Sequence, residues 1–398
     1  MGYAARSSTV SLSTPSTNCV RTMKGKMKKK MKPDKLADSR RAAAEVKSEN
    51  FELQIWVDLP VELLELIFSR LIVADNIRAS VVCKRWNSVA SSVRPVNQSP
   101  WLMYFPKKDN RYDFYDPVQR KTYSLEFPVL DRCRVVYTKD GWLLVCRKWW
   151  PDGRPYFFFN PFTSELIKLP RFNGANIAAF SCAPTSTECV IFTVTNVSST
   201  IVAISTCCPG ANKWTTVHLP NHSHFSCCIR TKTVFSNGLF YCLSYEGFLG
   251  VFDPVECTWT VLEVPPPRSL KSFIARQGRK GKFMTEHGGN IFVIHMLCPE
   301  GPIISKLDQT LMEWKEVRTL DGVTVFASSL SSPSRTYITE IMRNSVYFSK
   351  VRIYGKRCIS FSLDEHRYYP NRQCHDWIEP EAFENVWIEP PKEFAGWM

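Results

Sequence analysis

Val251-Phe252-Asp253-Pro254, followed by Trp259-Thr260-Val261-Leu262-Glu263-Val264-Pro265, spells out a hairpin. An apolar run ends at an Asp-Pro step, where extended geometry is favoured and the carboxylate can cap its own turn. An alternating run then returns and stops at a proline, which cannot donate to a strand ladder. The pattern recurs. Phe114-Tyr115-Asp116-Pro117 leads to Tyr123-Ser124-Leu125-Glu126-Phe127-Pro128, and Phe158-Phe159-Asn160-Pro161 leads to Glu165-Leu166-Ile167-Lys168-Leu169-Pro170. Cys207-Cys208-Pro209-Gly210 leads to Trp214-Thr215-Thr216-Val217-His218-Leu219-Pro220. Weaker copies are Lys306-Leu307-Asp308 before Trp314-Lys315-Glu316-Val317, and Ser362-Leu363-Asp364 before Tyr368-Tyr369-Pro370. The prolines at 117, 161, 209 and 254 lie 44, 48 and 45 residues apart. Such a unit holds four short strands, the size of a β-propeller blade. Six copies fit the 298 residues from 101 onward at about 50 per blade, against about 43 for seven blades. Six is the expectation. A strand at Trp101-Leu102-Met103-Tyr104-Phe105 and another at Trp387-Ile388 should pair and close the ring, removing two open edges.

Upstream of the repeats the texture is helical. Asp58-Leu59-Pro60-Val61-Glu62-Leu63-Leu64-Glu65-Leu66-Ile67-Phe68-Ser69-Arg70-Leu71 predicts a helix, with Pro60 in the first turn and Glu62 at the positive end. Leu63, Leu64, Ile67 and Leu71 recur at helical spacing and predict one stripe, with Leu66 and Phe68 lying off it. Asp75 can cap a second helix carrying Ile77, Val81 and Val82. A third runs through Lys84-Arg85-Trp86-Asn87-Ser88-Val89-Ala90, with Val82, Trp86, Val89 and Ala90 in phase, and Pro95 and Pro100 close the region. Three short helices with more apolar surface than they can hide from water read as a partner-binding module. The expected fold class is therefore mainly β with a small α module, three helices followed by a six-bladed propeller.

The net charge of +14 is uneven, because residues 1–50 hold 12 Lys and Arg against 4 Asp and Glu. Those residues can bury too little apolar surface to offset chain entropy and are read as a disordered basic arm. Lys28, Lys29, Lys30 and Lys32 make a short basic cluster of the kind nuclear import receptors read, which predicts nuclear as well as cytoplasmic residence. The bland alternative is a solvated charge run.

Composition excludes several classes. Apolar residues at 44% and charged residues at 22% are globular values, so wholesale disorder is excluded. No apolar run reaches membrane-spanning length and no secretory core opens the chain. Arg6 stands where myristoylation needs Ser or Thr. Fifteen cysteines without a Cys-x-x-Cys pair read as reduced core thiols. One cluster deserves weighing as a zinc site: Cys207-Cys208, His218, His222, His224 and Cys227-Cys228. Adjacent cysteines on a strand point to opposite faces, so no metal is assigned and no cofactor is expected. Gly-x-Ser-x-Gly, the phosphate-loop spacing and His-Glu-x-x-His are all missing, and Gly278-Arg279-Lys280-Gly281-Lys282 reads as an exposed basic turn. Asp253, Glu263, Asp308 and Asp364 could gather at a propeller axis, but at repeat positions they read as turn closers. No catalytic residue is assigned.

The helical segment resembles an F-box. The matching residues are Trp56-x-x-Leu59-Pro60-x-Glu62-Leu63-Leu64-x-x-Ile67-Phe68-x-x-Leu71 and Val81-Val82-Cys83-Lys84-Arg85-Trp86-x-x-Val89. The resemblance implies docking on a Skp1-like adaptor and, through it, a cullin–RING ubiquitin ligase. It assigns Leu59, Pro60, Leu63, Leu64, Ile67, Leu71, Val82 and Trp86 to the adaptor-facing or module-core set, without separating the two roles. The repeat region lacks a Trp-Asp dipeptide and has one double glycine, Gly288-Gly289, so neither WD40 nor kelch repeats fit. It resembles the plant F-box-associated DUF295 domain, of the F-box/kelch-like, KIB-type group. The matching pieces are Asp140-Gly141-Trp142-Leu143-Leu144-Val145, Phe159-Asn160-Pro161-Phe162, Gly288-Gly289-Asn290-Ile291-Phe292-Val293, Asn344-Ser345-Val346-Tyr347-Phe348 and Trp387-Ile388-Glu389-Pro390-Pro391. A Ser-rich stretch, Ala327-Ser328-Ser329-Leu330-Ser331-Ser332, departs from that pattern. The implied organisation is an arm (1–50), an F-box (54–95) and a propeller (101–398) that presents loops to a protein target. The implied role is substrate recognition for a ligase of the Skp1–cullin–F-box (SCF) type, without membrane or nucleic-acid partners. The rival readings are a propeller hydrolase or oxidoreductase with a degenerate helical cap, which small-molecule turnover by 100–398 would reveal, and a nucleic-acid binder using the arm, whose binding would fall steeply with salt.

Overall fold

A computed structural model describes residues 59–69, 71, 76, 79–80, 82–93, 99–106, 110–147, 153–173, 177–222, 225–228, 231–244, 246–262, 264, 281–296, 301–336, 338–349, 358–370 and 385–390. The lysines at 28, 29, 30 and 32, together with Trp56, Asp75, Ile77, Val81 and Glu263, lie outside them. Internal contacts divide the chain between Leu63 and Leu64, inside helix α1 (Val61–Ser69).

The buried side of α1 differs from the expected stripe. Leu64 and Phe68, one turn apart, are buried, whereas Leu63, Leu66 and Ile67 are exposed. The spacing allows both phases, and the one that hides the larger aromatic surface prevails. Phe68 meets Trp86 edge-on at 5.2 Å. Buried Asn76 donates from Nδ2 to the Ala90 carbonyl at 3.0 Å, tying the second helical segment to helix α2 (Lys84–Ser92). Cys83 caps α2, its Sγ accepting from the Trp86 N–H at 3.4 Å. Val82 stands in the turn before α2, 59% exposed, so the expected series through Val82, Trp86, Val89 and Ala90 loses its first member to solvent.

From residue 101 the chain builds six blades. The first contains β1 (Trp101–Tyr104), β2 (Arg111–Asp116) and β3 (Lys121–Glu126). The second is β4 (Cys133–Lys139), β5 (Trp142–Arg147), β6 (Tyr156–Phe159) and β7 (Leu166–Lys168). The third is β8 (Ile177–Phe180), β9 (Ile191–Asn196), β10 (Ile201–Cys207) and β11 (Thr215–Pro220). The fourth is β12 (Lys232–Ser236), β13 (Leu239–Leu243), β14 (Leu249–Asp253) and β15 (Thr258–Leu262). The fifth is β16 (Lys282–His287), β17 (Asn290–His295), β18 (Ile303–Asp308) and β19 (Glu313–Val317). The sixth is β20 (Thr324–Ala327), β21 (Ser334–Arg335), β22 (Ser345–Phe348), β23 (Ile359–Ser362) and β24 (Arg367–Tyr369). Strand β25 (Asn385–Ile388) crosses back to the first sheet and pairs antiparallel with β1, Trp101 opposite Ile388 and Leu102 opposite Trp387. The two ends thus close one blade, as expected.

Every quoted repeat is the outer hairpin of a blade. Asp116 Oδ1 accepts from the N–H groups of Val118 and Gln119 at 2.8 and 3.1 Å. Asn160, Asp253 and Asp308 cap their turns in the same way. Four residues past each anchor the chain turns left-handed, at Arg120, Ser164, Cys257 and Met312. In the sixth blade the left-handed residue is His366, which makes Ser362 the anchor; its Oγ accepts from the Glu365 N–H at 3.2 Å. Asp364, two residues on, serves elsewhere by accepting from Asn344 Nδ2. That corrects the sequence alignment of the last copy.

Aromatic side chains wedge the blades. Phe127 meets Phe159 at 5.2 Å between blades one and two, and Phe158 meets Phe180 at 4.9 Å between two and three. Phe192 stacks on Phe240 at 4.8 Å between three and four, and Phe326 meets the fully buried Trp387 at 5.0 Å across the closing seam.

Candidate functional site

Among the described residues two places stand out as candidate sites. The first is the exposed apolar side of α1. Of the residues singled out from sequence, Leu64 is buried core, and Leu59, Leu71 and Trp86 are half-buried. Pro60, Leu63, Ile67 and Val82 are exposed, and Leu66, which the sequence reading set aside, joins them at 50% exposure.

The second place is the propeller axis, and the Ser-rich stretch shapes it. Blades two to five are antiparallel throughout, but β20 pairs in parallel with β22, because residues 328–333 turn inward before β21 runs back along β20. This loop bonds to three other blades. Ser331 Oγ lies 2.7 Å from Thr138 Oγ1 on β4, Thr285 Oγ1 on β16 donates to the Ser332 carbonyl at 2.6 Å, and Lys232 Nζ on β12 donates to the Ser329 carbonyl at 2.8 Å. Blades two and five face each other across a six-blade ring, so a loop bonded to both crosses the axis. Ser328, Ser331 and Ser332 are buried there; Ser332 Oγ accepts from the Ser328 N–H and donates to the Ser328 carbonyl, while Ser328 Oγ donates to the Ser331 carbonyl.

Beside this crossing is a cavity of about 190 Å³. It is framed where inner strands end: Lys139 on β4 and Asp140 after it, Phe235 on β12, Glu286 on β16, Arg335 on β21 and Glu389 after β25. Glu389 is buried, takes an ion pair from Arg335 and accepts from the Asp140 N–H at 2.7 Å. Gly141 is needed beside it: its φ is +79°, and a Cβ there would stand 2.8 Å from the Glu389 carbonyl oxygen. Glu286 Oε1 accepts from the Gly289 N–H at 2.8 Å, and Ser334 Oγ donates to the Glu286 carbonyl at 2.8 Å. Lys139 Nζ lies 5.4 Å from the Phe235 ring centre. Loss of hydration, then the neighbouring Glu389 charge, raises the Asp140 carboxyl above the ordinary carboxylate range, while Lys139 and Arg335 pull it down. Asp140 remains exposed at the rim, so solvent screening keeps the effect modest.

These carboxylates are not the ones sequence reasoning weighed for the axis: Asp253 and Asp308 close outer turns. Position at the end of an innermost strand is the signal that distinguishes Asp140, Glu286 and Glu389. His224 of the Cys and His cluster lies outside the described residues, and among the described residues no group of three or more His, Cys, Asp or Glu side chains is arranged to hold a metal ion. Cys207 is buried, its thiol pushed up to about 11 chiefly by burial, and Cys208 is exposed. Among the described residues no helix is long and apolar enough to cross a membrane.

A helical module with an exposed apolar face, ahead of a six-bladed propeller, places the molecule among modular proteins that join a docking element to a recognition domain. The F-box-like family matches residues 56–94, and the KIB1-4 beta-propeller family matches residues 114–375. The chain belongs to the KIB1-4 β-propeller family, the group once called DUF295, and carries an F-box-like module. It is 43% identical to the F-box/kelch-repeat protein At1g57790 of Arabidopsis thaliana over 343 residues, covering 85% of this chain and 95% of that one. It is 41% identical to the F-box protein At3g56470 of the same plant over 86% of this chain and 91% of that one. With the F-box protein At4g00893, also from Arabidopsis thaliana, identity is 37% over 86% and 88% of the two chains.

Proposed function

We propose that this protein is the substrate-recognition subunit of a Skp1–cullin–F-box ubiquitin ligase. The observation that carries the reading is the apolar face of α1, where Leu63, Leu66 and Ile67 remain in solvent although Leu64 and Phe68 already satisfy the module's own core. An exposed Leu and Ile face on a short helix is the form of a helix-in-groove contact, in which a few anchors dominate the association energy. Leu59, Pro60, Leu63, Ile67 and Val82 are assigned to the Skp1-like adaptor, with Leu64, Leu71 and Trp86 holding the module. The propeller binds a protein target and supplies proximity to a ubiquitin-charged enzyme, raising the effective concentration of target lysines rather than performing bond chemistry. Lys28, Lys29, Lys30 and Lys32 direct part of the population to the nucleus.

The test is co-purification of the full chain with Skp1. Ile67→Asp, and separately the Leu59→Ala, Pro60→Ala pair, should remove Skp1 while the propeller melts as in the parent. Retained Skp1 in both variants ends the ligase reading. For the arm, alanines at the four lysines should move a fluorescent fusion toward the cytoplasm, and an unchanged nuclear fraction makes them a solvated charge run.

A further inference from the structure

The axial cavity has the dimensions and charge of a receptor for one side chain. At about 190 Å³ it falls below the range of about 300–1,000 Å³ typical of pockets that hold small molecules and cofactors. Three carboxylates, Asp140, Glu286 and Glu389, face two cations, Lys139 and Arg335, which leaves one negative charge in surplus. Both cations are already engaged, Arg335 on Glu389 and Lys139 over Phe235. Glu286 uses Oε1 on the Gly289 amide, leaving Oε2 as an acceptor for a guest. The raised Asp140 carboxyl points the same way, since a positive guest would relieve its repulsion from Glu389. The walls are amphipathic: the half-buried Phe235 ring offers apolar surface on which a long aliphatic stem can lie. The serine loop holds the floor rigid through the Thr138–Ser331 and Thr285–Ser332 bonds, so little ordering is needed when a guest enters. An anionic guest would meet three carboxylates, and an apolar one would strip their water without replacing it.

We propose that this cavity receives one arginine or lysine side chain of the protein target, and so makes a basic residue part of the recognised segment. The inference rests on the reading of the propeller as the target-binding domain.

The experiment uses the full-length protein and four bead-bound octapeptide pools, random except for a fixed central Arg, Lys, Glu or Leu. The Arg and Lys pools should retain the protein and the Glu and Leu pools should not. Glu286→Gln keeps the amide-accepting oxygen but removes the surplus charge, and retention on the basic pools should fall about tenfold, the scale of one charge-assisted contact. Lys139→Met deepens the negative surplus, and retention on the same pools should rise. Equal retention on all pools, retention on none, preference for the Glu or Leu pool, or a Lys139→Met variant that binds basic pools no better than the parent would overturn the proposal. Peptide retention does not involve α1. Loss of Skp1 co-purification in the parent would therefore end the ligase reading and leave the cavity result standing, and the converse outcome is equally legible.

Discussion

Blades five and six begin from similar material and end differently. Blade five runs antiparallel from β16 to β19, with Gly288 and Gly289 both at positive φ in its inner turn. Blade six starts with β20, but its next neighbour in the sheet, β22, runs parallel to it, and the chain between them passes through the axis. Local turn chemistry is enough to build a blade. What occupies the axis is decided by partners far away in sequence: Thr138, Lys232 and Thr285. The regular blade is scaffold, and the irregular one makes the interior of the ring.

Four measurements sharpen this contrast. The largest effect is expected where blade six meets the closing strand. Trp387 is fully buried against Phe326, and its Nε1 donates to the Ala327 carbonyl at 3.3 Å. Trp387→Ala should cost about 3–5 kcal/mol in denaturant unfolding, and a chain ending at Asn385 should lose its cooperative melt. A truncated chain melting within a couple of degrees of the parent would place Trp387 outside the closed ring.

Next is an acid test of blade five. His295 is buried, and burial, followed by the charge of Lys282, lowers its pKa to about 3. Between the ordinary value of about 6.5 and 3 the unfolded chain binds a proton that the folded chain refuses, so stability falls as pH drops through that window. At pH 5 the His295 share of that loss is about 2 kcal/mol. His295→Leu should flatten the decline of Tm between pH 7 and pH 5 relative to the parent, and parallel declines would refute it.

A smaller effect tests the serine loop. Thr285→Val removes the donor to the Ser332 carbonyl inside the ring and should cost about 1–3 kcal/mol, the range for a buried group left unsatisfied. If the variant unfolds at the parent's midpoint, the loop does not depend on blade five.

The smallest effects compare anchors. Asp253→Ala removes two turn hydrogen bonds in a regular blade and Ser362→Ala removes one in blade six. Losses of about 1 kcal/mol are expected for each, with Asp253 the larger, and the reverse order would show that the last blade relies more on its turn.

The same contrast explains what could be read from the residues alone. Asp116, Asn160, Asp253 and Asp308 announced their hairpins because an Asx turn is made within four residues. The sixth anchor was misplaced by two residues because a serine hydroxyl does the work at Ser362 while a more conspicuous carboxylate stands at Asp364. In α1, helical spacing admits two phases, and only the neighbouring Trp86 ring settles that Phe68 turns inward. The axial carboxylates were legible as letters but not as a set, since Asp140, Glu286 and Glu389 come from three blades and meet only when the ring closes.

That closure has a consequence in time. The strand that completes the first blade, β25, is synthesised long after its partner β1, which opens the propeller. Ribosomes add about 5–20 residues per second, so β1 waits roughly 15–60 s for β25, through roughly 290 residues of synthesis. During that interval both α1 and the unpaired edge of β1 are outside the ribosome, and the chain is exposed to chaperones and to premature pairing. An adaptor that bound the helices this early would hold a subunit whose recognition domain had not yet formed. Every residue of α1 is therefore made well before Glu389, the last of the three axial carboxylates to leave the ribosome.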